Sequence, residues 1–369
     1  FYIGKIYYYK PYQKKNLIFS AYILWIIICI IRGIFVADLY WDWKNLTHAS
    51  AFLLLPICTY MFTHPSIIKE TMSTWLKWGL PIYFVMYFFI TFSTASFYLT
   101  PLLLLILFFP MLNNKWKLYL LFFLIIIFSG YTNRSALIKY GVAFAFSFIF
   151  YFKKYFPPLI LKTIHANFML LPFLFFTLAA TNVFNIFDLE EYIEEKTVEI
   201  TTQSGDIKEE SLTADTRTFL YEDVILSAIN NNYIYFGRTP AKGNDTEIGT
   251  HFAEDLGTGR YERFSNEVAI LNIFTWLGLT GVILHFLVFL QSSYLAIYRS
   301  NNLYIKIVGL YVAFRWIIAW IEDVNRFNII NLCLWMMIGM CLSNSFRKMS
   351  NKEFYNWLKS IFNFKTQLV

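Results

Sequence analysis

Six arginines, Arg134, Arg217, Arg238, Arg260, Arg263 and Arg326, lie at the ends of apolar runs or in the one long polar stretch of the chain. An arginine fork bonds two oxygens at once, so a set of them gathered at one membrane face suits a pyrophosphate-linked lipid. Arg134 sits between two apolar runs, in Gly130-Tyr131-Thr132-Asn133-Arg134-Ser135, and Arg217 precedes a segment of helical apolar spacing. The plain alternatives are an interfacial anchor for Arg134, a solvated charge beside Asp215 for Arg217, and pairing with loop carboxylates for the others. Two residues could take a proton. Glu267 opens an apolar run in Phe264-Ser265-Asn266-Glu267-Val268-Ala269, and His251 lies in the polar stretch. The alternative for Glu267 is structural: Ser265 or Asn266 has the character of a helix N-cap, with Glu267 as a first-turn carboxylate.

Other chemistries find little support. The five histidines, His48, His64, His165, His251 and His285, show no metal-ligand spacing, and no Walker loop, dinucleotide fingerprint or Ser-His-Asp signature is present. Cys29, Cys58, Cys333 and Cys341 all lie in apolar runs, so neither a disulfide framework nor a zinc site is expected. No cofactor and no metal is called for. Arg32, Lys139 and Arg315 stand inside apolar runs, where charge is costly and usually has a purpose. Arg32 and Lys139 are close enough to a run's end to snorkel outward. Arg315 has candidate partners two turns on, in Glu322 and Asp323.

The elements that must carry these residues are membrane spans. With 57% hydrophobic and 15% charged residues, the chain lacks the polar surface of a soluble domain of its 369 residues. The net charge of +7 does not indicate nucleic acid, because its distribution follows a membrane topology. Spans are predicted near 17–37, 46–62, 78–98, 100–113, 117–130, 135–152, 162–183, 267–290, 304–321 and 328–345. Pro101 and Pro110 kink the fourth or make it re-entrant. The chain opens on Phe1 rather than Met, leaving room for sequence ahead of it. Its Lys-rich residues 5–15 lead into a full-length span rather than a cleavable leader. With the N-terminus cytoplasmic, the short inner connections and tail hold 18 Lys and Arg and the short outer ones hold 3, so both termini are expected in the cytoplasm.

Residues 184–265 break the pattern, with 17 of the 24 Asp and Glu against 7 Lys and Arg, and by parity they face outward. Asp188 to Glu210 reads as an exposed helix or a mobile strip. Asp215 to Arg263 reads as folded, with a helix over Phe219 to Ile229 capped by Asp215 or Thr216. The fold class is therefore all-α: a polytopic bundle of about ten spans carrying one large, partly helical extracytoplasmic loop. Residues 1–183 hold seven spans, 184–265 the loop, 266–346 three more spans and 347–369 a cytoplasmic tail.

Over its last two thirds the chain resembles the O-antigen polymerase and ligase superfamily of bacterial surface-polysaccharide assembly. The likeness rests on the late outer loop, on Asn133-Arg134-Ser135-Ala136-Leu137 at the outer end of a middle span, and on Arg217 followed by an apolar helix and Tyr235-Phe236-Gly237-Arg238. It rests also on a polar cap leading into Leu277-Gly278-Leu279-Thr280-Gly281. The resemblance implies a bacterial inner-membrane glycosyltransferase acting at the outer face on undecaprenyl-pyrophosphate-linked oligosaccharides, with lipids and a chain-length regulator as partners and no nucleic acid. It implies that Arg134 and Arg217 stabilise the pyrophosphate, with Arg238, Arg260 and Arg263 as lesser candidates, and that Glu267 or His251 takes the acceptor proton. Ligases of the superfamily carry a His-Asn before the post-loop helix. Here that position falls on Glu267, or on Ser265 if two residues are inserted, which favours a polymerase. A ligase, a lipid-linked-glycan flippase and a non-catalytic scaffold are the alternatives. The absence of an internal repeat and the long one-sided loop speak against a transporter.

Overall fold

Leu17–Val36 is a helix of 20 residues, predominantly apolar and interrupted by a single charge, Arg32. Asn16 caps its start by accepting the Phe19 N–H, and at about 1.5 Å per residue the helix reaches about 30 Å, a bilayer's hydrocarbon depth. In the computed structural model, which describes residues 16–86, 95–129, 134–187, 197–201, 207–211, 217–246, 262–323 and 326–362, this helix is α1. α2 spans Tyr40–Leu54, α3 Pro65–Thr74, α4 Leu102–Leu107, α5 Asn114–Ser129, α6 Arg134–Ser147 and α7 Pro158–Ala180. After the polar stretch, which holds α8 (Thr218–Asn230), come α9 (Ala269–Tyr298), α10 (Leu303–Ile318), α11 (Ile329–Leu342) and α12 (Asn351–Ser360).

The chain is mostly helical, and α1, α7 and α9 are long and apolar enough to cross a membrane. Tyr40–Phe62 and Pro65–Met86 pass the same test together but meet at 113°, making a fourth if counted as one broken span. Among the described residues the other helices in the expected spans are shorter, and residues 87–94 of the span expected near 78–98 lie outside the described residues. The one expected near 100–113 reduces to the six-residue α4 between Pro101 and a 3₁₀ turn holding Pro110. Every residue of α4 is buried, so none of it faces lipid. α10 and α11 have 16 and 14 residues.

α10 forms the axis. Val308, Leu310, Tyr311, Val312, Ala313 and Trp316 are all fully buried, against α9, α7, α6 and α11. Gly309 lets α9 approach, since a Cβ there would meet Ala296 Cβ at 2.5 Å. Apolar side chains also cover the rim. Leu17, Phe35 and Leu159 are more than two thirds exposed, as a lipid-facing surface would be.

The polar stretch is built differently from its expected form at one place. Thr197–Thr201 (β1) and Ile207–Ser211 (β2) pair antiparallel, with Thr197 opposite Ser211 and Thr201 opposite Ile207, where a helix or mobile strip was expected. The alternation in Thr-Val-Glu-Ile-Thr is strand-like, and β-branched residues favour that geometry over a helix. The helix expected over Phe219 to Ile229 is present as α8. Its N-cap position is Arg217, with no side-chain cap; Asp215 and Thr216, the expected caps, lie outside the described residues. A two-residue ladder, β3 (Asn244–Asp245) with β4 (Glu262–Arg263), closes the far end of the stretch.

Candidate functional site

The site is assembled where the polar stretch meets one end of the bundle. α9 is broken at Gly278, whose φ of 70° and ψ of −172° only glycine adopts freely. The break frees backbone groups of Thr275 to Thr280, and the segment Ile234–Arg238 pairs with them. The Arg238 N–H donates to the Thr275 carbonyl at 2.7 Å, Leu279 N–H to Ile234 at 2.8 Å and Thr280 N–H to Tyr235 at 3.2 Å. Gly237, also at φ 70°, faces Gly278 so closely that a Cβ on either would lie 2.4–2.5 Å from the other's backbone nitrogen. α1 holds the same junction from the other side. Trp25 Nε1 donates to the Leu277 carbonyl at 3.0 Å, and Arg32 donates to the carbonyls of Phe236 at 2.7 Å and Gly237 at 3.2 Å. Arg32 thus ties α1 to the polar stretch.

Further along, Asn45 Nδ2 donates to the Pro240 carbonyl at 2.7 Å, and Lys242 pairs with the buried Asp42. Burial raises the Asp42 carboxyl, but the Lys242 ammonium and the N–H groups of Asp38 and Leu39 outweigh it. The group is held below the ordinary carboxylate value.

The start of α9 has no side-chain cap: its N-cap position is Val268, and Ser265 and Asn266 lie farther out. The orphan N–H groups of its first turn go instead to the end of α10. Ala269 N–H donates to the Glu322 carbonyl at 3.2 Å and Ile270 N–H to Ala319 at 3.1 Å. Asn272 reaches back to bond both the N–H and the carbonyl of Asn266, at 2.6 and 2.9 Å. Glu267 therefore precedes the helix instead of lying in its first turn, and its side chain is exposed.

This stitch brings charged groups together. Lys139, on α6 and only 4% exposed, makes bonds of 2.9 and 2.7 Å to the two carboxylate oxygens of Glu322. Glu322 pairs with Lys139 and Asp323 with Arg326 at 3.1 Å; among the described residues no ion pair joins either to Arg315, the pairing that the two-turn spacing suggested. Beside them Arg217 donates from Nε to the Ile321 carbonyl at 2.8 Å, and Tyr221 donates to the Trp320 carbonyl at 2.6 Å. Burial pushes the Tyr221 hydroxyl's pKa up, so it stays a neutral donor.

Arg217 thus reaches the turn that follows α10, and Glu267 lies two residues ahead of Ala269, which bonds the same turn. Arg263 lies with its guanidinium 5.9 Å from the ring centre of Phe219, next to the α8 start. Arg238 is engaged already: Asp245 at 2.7 Å, Glu262 at 3.3 Å and the Gly243 carbonyl at 2.9 Å hold its guanidinium, which braces the ladder. Arg134 is the first residue of α6, five residues before Lys139; its side chain, like Arg260 and His251 entirely, lies outside the described residues. Among the described residues no three His, Cys, Asp or Glu side chains gather as metal ligands would.

The Gly237–Gly278 junction and the Lys139–Glu322 pair escaped the sequence reading. The junction's two halves, Tyr235-Phe236-Gly237-Arg238 and Leu277-Gly278-Leu279, were visible separately; nothing in either predicts their contact. No protein-family model matches the chain, and no curated protein or solved structure matches it at a significant level.

Proposed function

We propose that this chain is a membrane glycosyltransferase that polymerises undecaprenyl-pyrophosphate-linked oligosaccharide units at the outer face of a bacterial inner membrane. The observation that carries the reading is the convergence of Arg217, Glu267 and the Lys139–Glu322 pair on one end of α10, under a polar segment stitched into a broken helix. In the proposed topology the chain crosses about ten times, both termini are cytoplasmic and residues 184–265 are outside. α10, α11 and the bent segments then act as short spans within the bundle.

In the proposed reaction a hydroxyl of the acceptor glycan attacks the anomeric carbon of the donor. The bond from that carbon to the pyrophosphate oxygen breaks, and lipid pyrophosphate leaves with the electron pair. Arg217 and Arg134 stabilise the charge on the leaving group, with Arg263 and Arg260 behind them; donors fixed before the reaction do this best. Arg238, tied to two carboxylates, keeps the loop in place. Glu267, exposed beside the cluster, takes the hydroxyl proton, with His251 as second candidate. The deciding experiment incubates purified protein with lipid-linked repeat units. A ladder of lengthened glycans is the expected product, and no lengthening by folded protein refutes the proposal. In a deletion strain, single unpolymerised units should accumulate; full-length chains stranded on lipid would point to a ligase instead.

A further inference from the structure

Arg315 remains unexplained by the site above. It lies in the last turn of α10, 1% exposed, among the most deeply buried side chains of the protein. Among the described residues, its Nε and Nη2 atoms have no hydrogen-bond partner. Those two nitrogens form one edge of the guanidinium, the edge whose N–H bonds run parallel and take two oxygens of a carboxylate or phosphate together. The neighbouring carboxylates are committed elsewhere, Glu322 to Lys139 and Asp323 to Arg326. Lys139 is near enough for its charge to oppose that of Arg315, and the Tyr311 hydroxyl and Cys333 thiol face the same guanidinium. Arg315 thus adds a second buried cation beside Lys139, with no ion pair of its own among the described residues. An uncompensated buried charge is costly, and a fold that keeps one with its bidentate edge open is prepared for an anion.

We propose that Arg315 and Lys139 form a binding site for a phosphoryl group, with the Nε–Nη2 edge of Arg315 taking two oxygens and the Lys139 ammonium a third. Glu322, 28% exposed in its side chain against 5% for Lys139, is the accessible end of the cluster, and a phosphoryl group that binds must displace this carboxylate from Lys139. The phosphoryl group belongs either to a polyprenyl lipid or to free phosphate or pyrophosphate. The site goes beyond the glycosyltransfer reading and does not depend on it.

The test uses the full chain in nanodiscs of zwitterionic lipid. The probes are inorganic phosphate, inorganic pyrophosphate and, added to the discs, polyprenyl phosphate, with chloride at equal ionic strength as control. Saturable binding of labelled probe is measured together with the thermal unfolding midpoint followed by tryptophan fluorescence. Wild-type protein should bind at least one of the three phosphoryl probes, with a higher midpoint that chloride does not reproduce. A response to free pyrophosphate assigns the site to a soluble anion, and a response to the lipid alone assigns it to a headgroup. Arg315→Met should lose at least tenfold in affinity. In phosphate-free buffer its midpoint should equal or exceed the wild-type value, because an uncompensated charge has gone. Arg315→Lys, which keeps the charge but not the fork, should lose affinity by a similar factor. The proposal is overturned by wild-type protein that binds none of the three, by a chloride response of equal size, or by either variant binding with wild-type affinity. It is equally overturned if Arg315→Met unfolds or has a lower midpoint without phosphate, since Arg315 would then be a structural brace. Because binding is read without turnover, a protein that binds but never lengthens a glycan would refute the proposed function and leave this site standing.

Discussion

Gly278→Ala should unseat the polar stretch from the bundle. The residue sits at φ 70° and ψ −172°, a region costing a non-glycine residue about 1–3 kcal/mol. The added Cβ would stand 2.4 Å from Gly237 N and 2.5 Å from the Tyr235 carbonyl carbon and oxygen, and these are backbone atoms that cannot rotate away. Relief requires Tyr235–Arg238 to withdraw, which strains or breaks the bonds Arg238–Thr275, Leu279–Ile234 and Thr280–Tyr235. Each such bond is worth about 0.5–1.5 kcal/mol, so a total of about 3–5 kcal/mol is expected when part of the ladder survives. In detergent this is a fall in unfolding midpoint on the order of 5 °C or more. Protease should also cut within residues 234–246 much faster, and polymer formation should be lost with it. Gly141→Ala is the matched control. It lies inside α6 with nothing within 4 Å of the added methyl, so the change should be neutral or stabilise by up to about 1 kcal/mol. If Gly278→Ala unfolds within a degree of wild type and keeps its protease resistance, the junction does not hold the loop and the reasoning fails.

Arg217→Ala should abolish polymer at normal protein level, and Arg217→Lys should rescue poorly because it lacks both the fork and the Nε donor to Ile321; a normal polymer ladder from the Ala variant removes Arg217 from the site. Glu267→Gln should leave the unfolding midpoint nearly unchanged, since the group is exposed and outside the helix, while slowing lengthening by roughly a hundredfold; near-wild-type turnover excludes it as the base. Lys139→Met should destabilise by about 1–3 kcal/mol because Glu322 keeps its charge without its partner, and Lys139→Met with Glu322→Gln should recover most of that loss in chemical unfolding; no recovery means the pair is not coupled. Asp42 binds its proton less readily folded than unfolded. Its contribution is therefore complete above the ordinary carboxylate value of about 3.9 and disappears as the pH falls below it, and Asp42→Asn should flatten that acid limb of the stability profile measured from pH 7 downward.

The helix over Thr218–Asn230 was legible because Phe219, Leu220, Val224 and Ile229 keep a helical period in a polar context, and the apolar run of α1 because length alone identifies it. The break in α9 was not. Hydropathy runs on through Leu277-Gly278-Leu279, and no residue pattern registers a φ of 70°. Caps were misassigned for a related reason. Ser265 and Asn266 look like N-caps locally, but the donors they would serve are met by Ala319 and Glu322 of a different helix. The charges show the same limit. Spacing along one helix suggested Arg315 with Glu322, whereas Lys139, 183 residues away, takes that carboxylate. The gathering of Arg217 and Glu267 at one place follows from packing that sequence order did not contain.

The bonds from Arg32 to Phe236 and Gly237 span 204 and 205 residues. During synthesis α1 is complete long before residue 236 exists, and at about 5–20 residues per second the delay is on the order of 10–40 s. Through that interval a helix able to cross the bilayer carries a guanidinium without the carbonyls that later receive it. The nascent α1 must hold Arg32 near headgroups or lean on an insertion factor, and it reaches its final depth only when the segment Tyr235–Arg238 arrives. Products truncated before residue 236 would retain that stranded charge, which marks them for removal by membrane quality control.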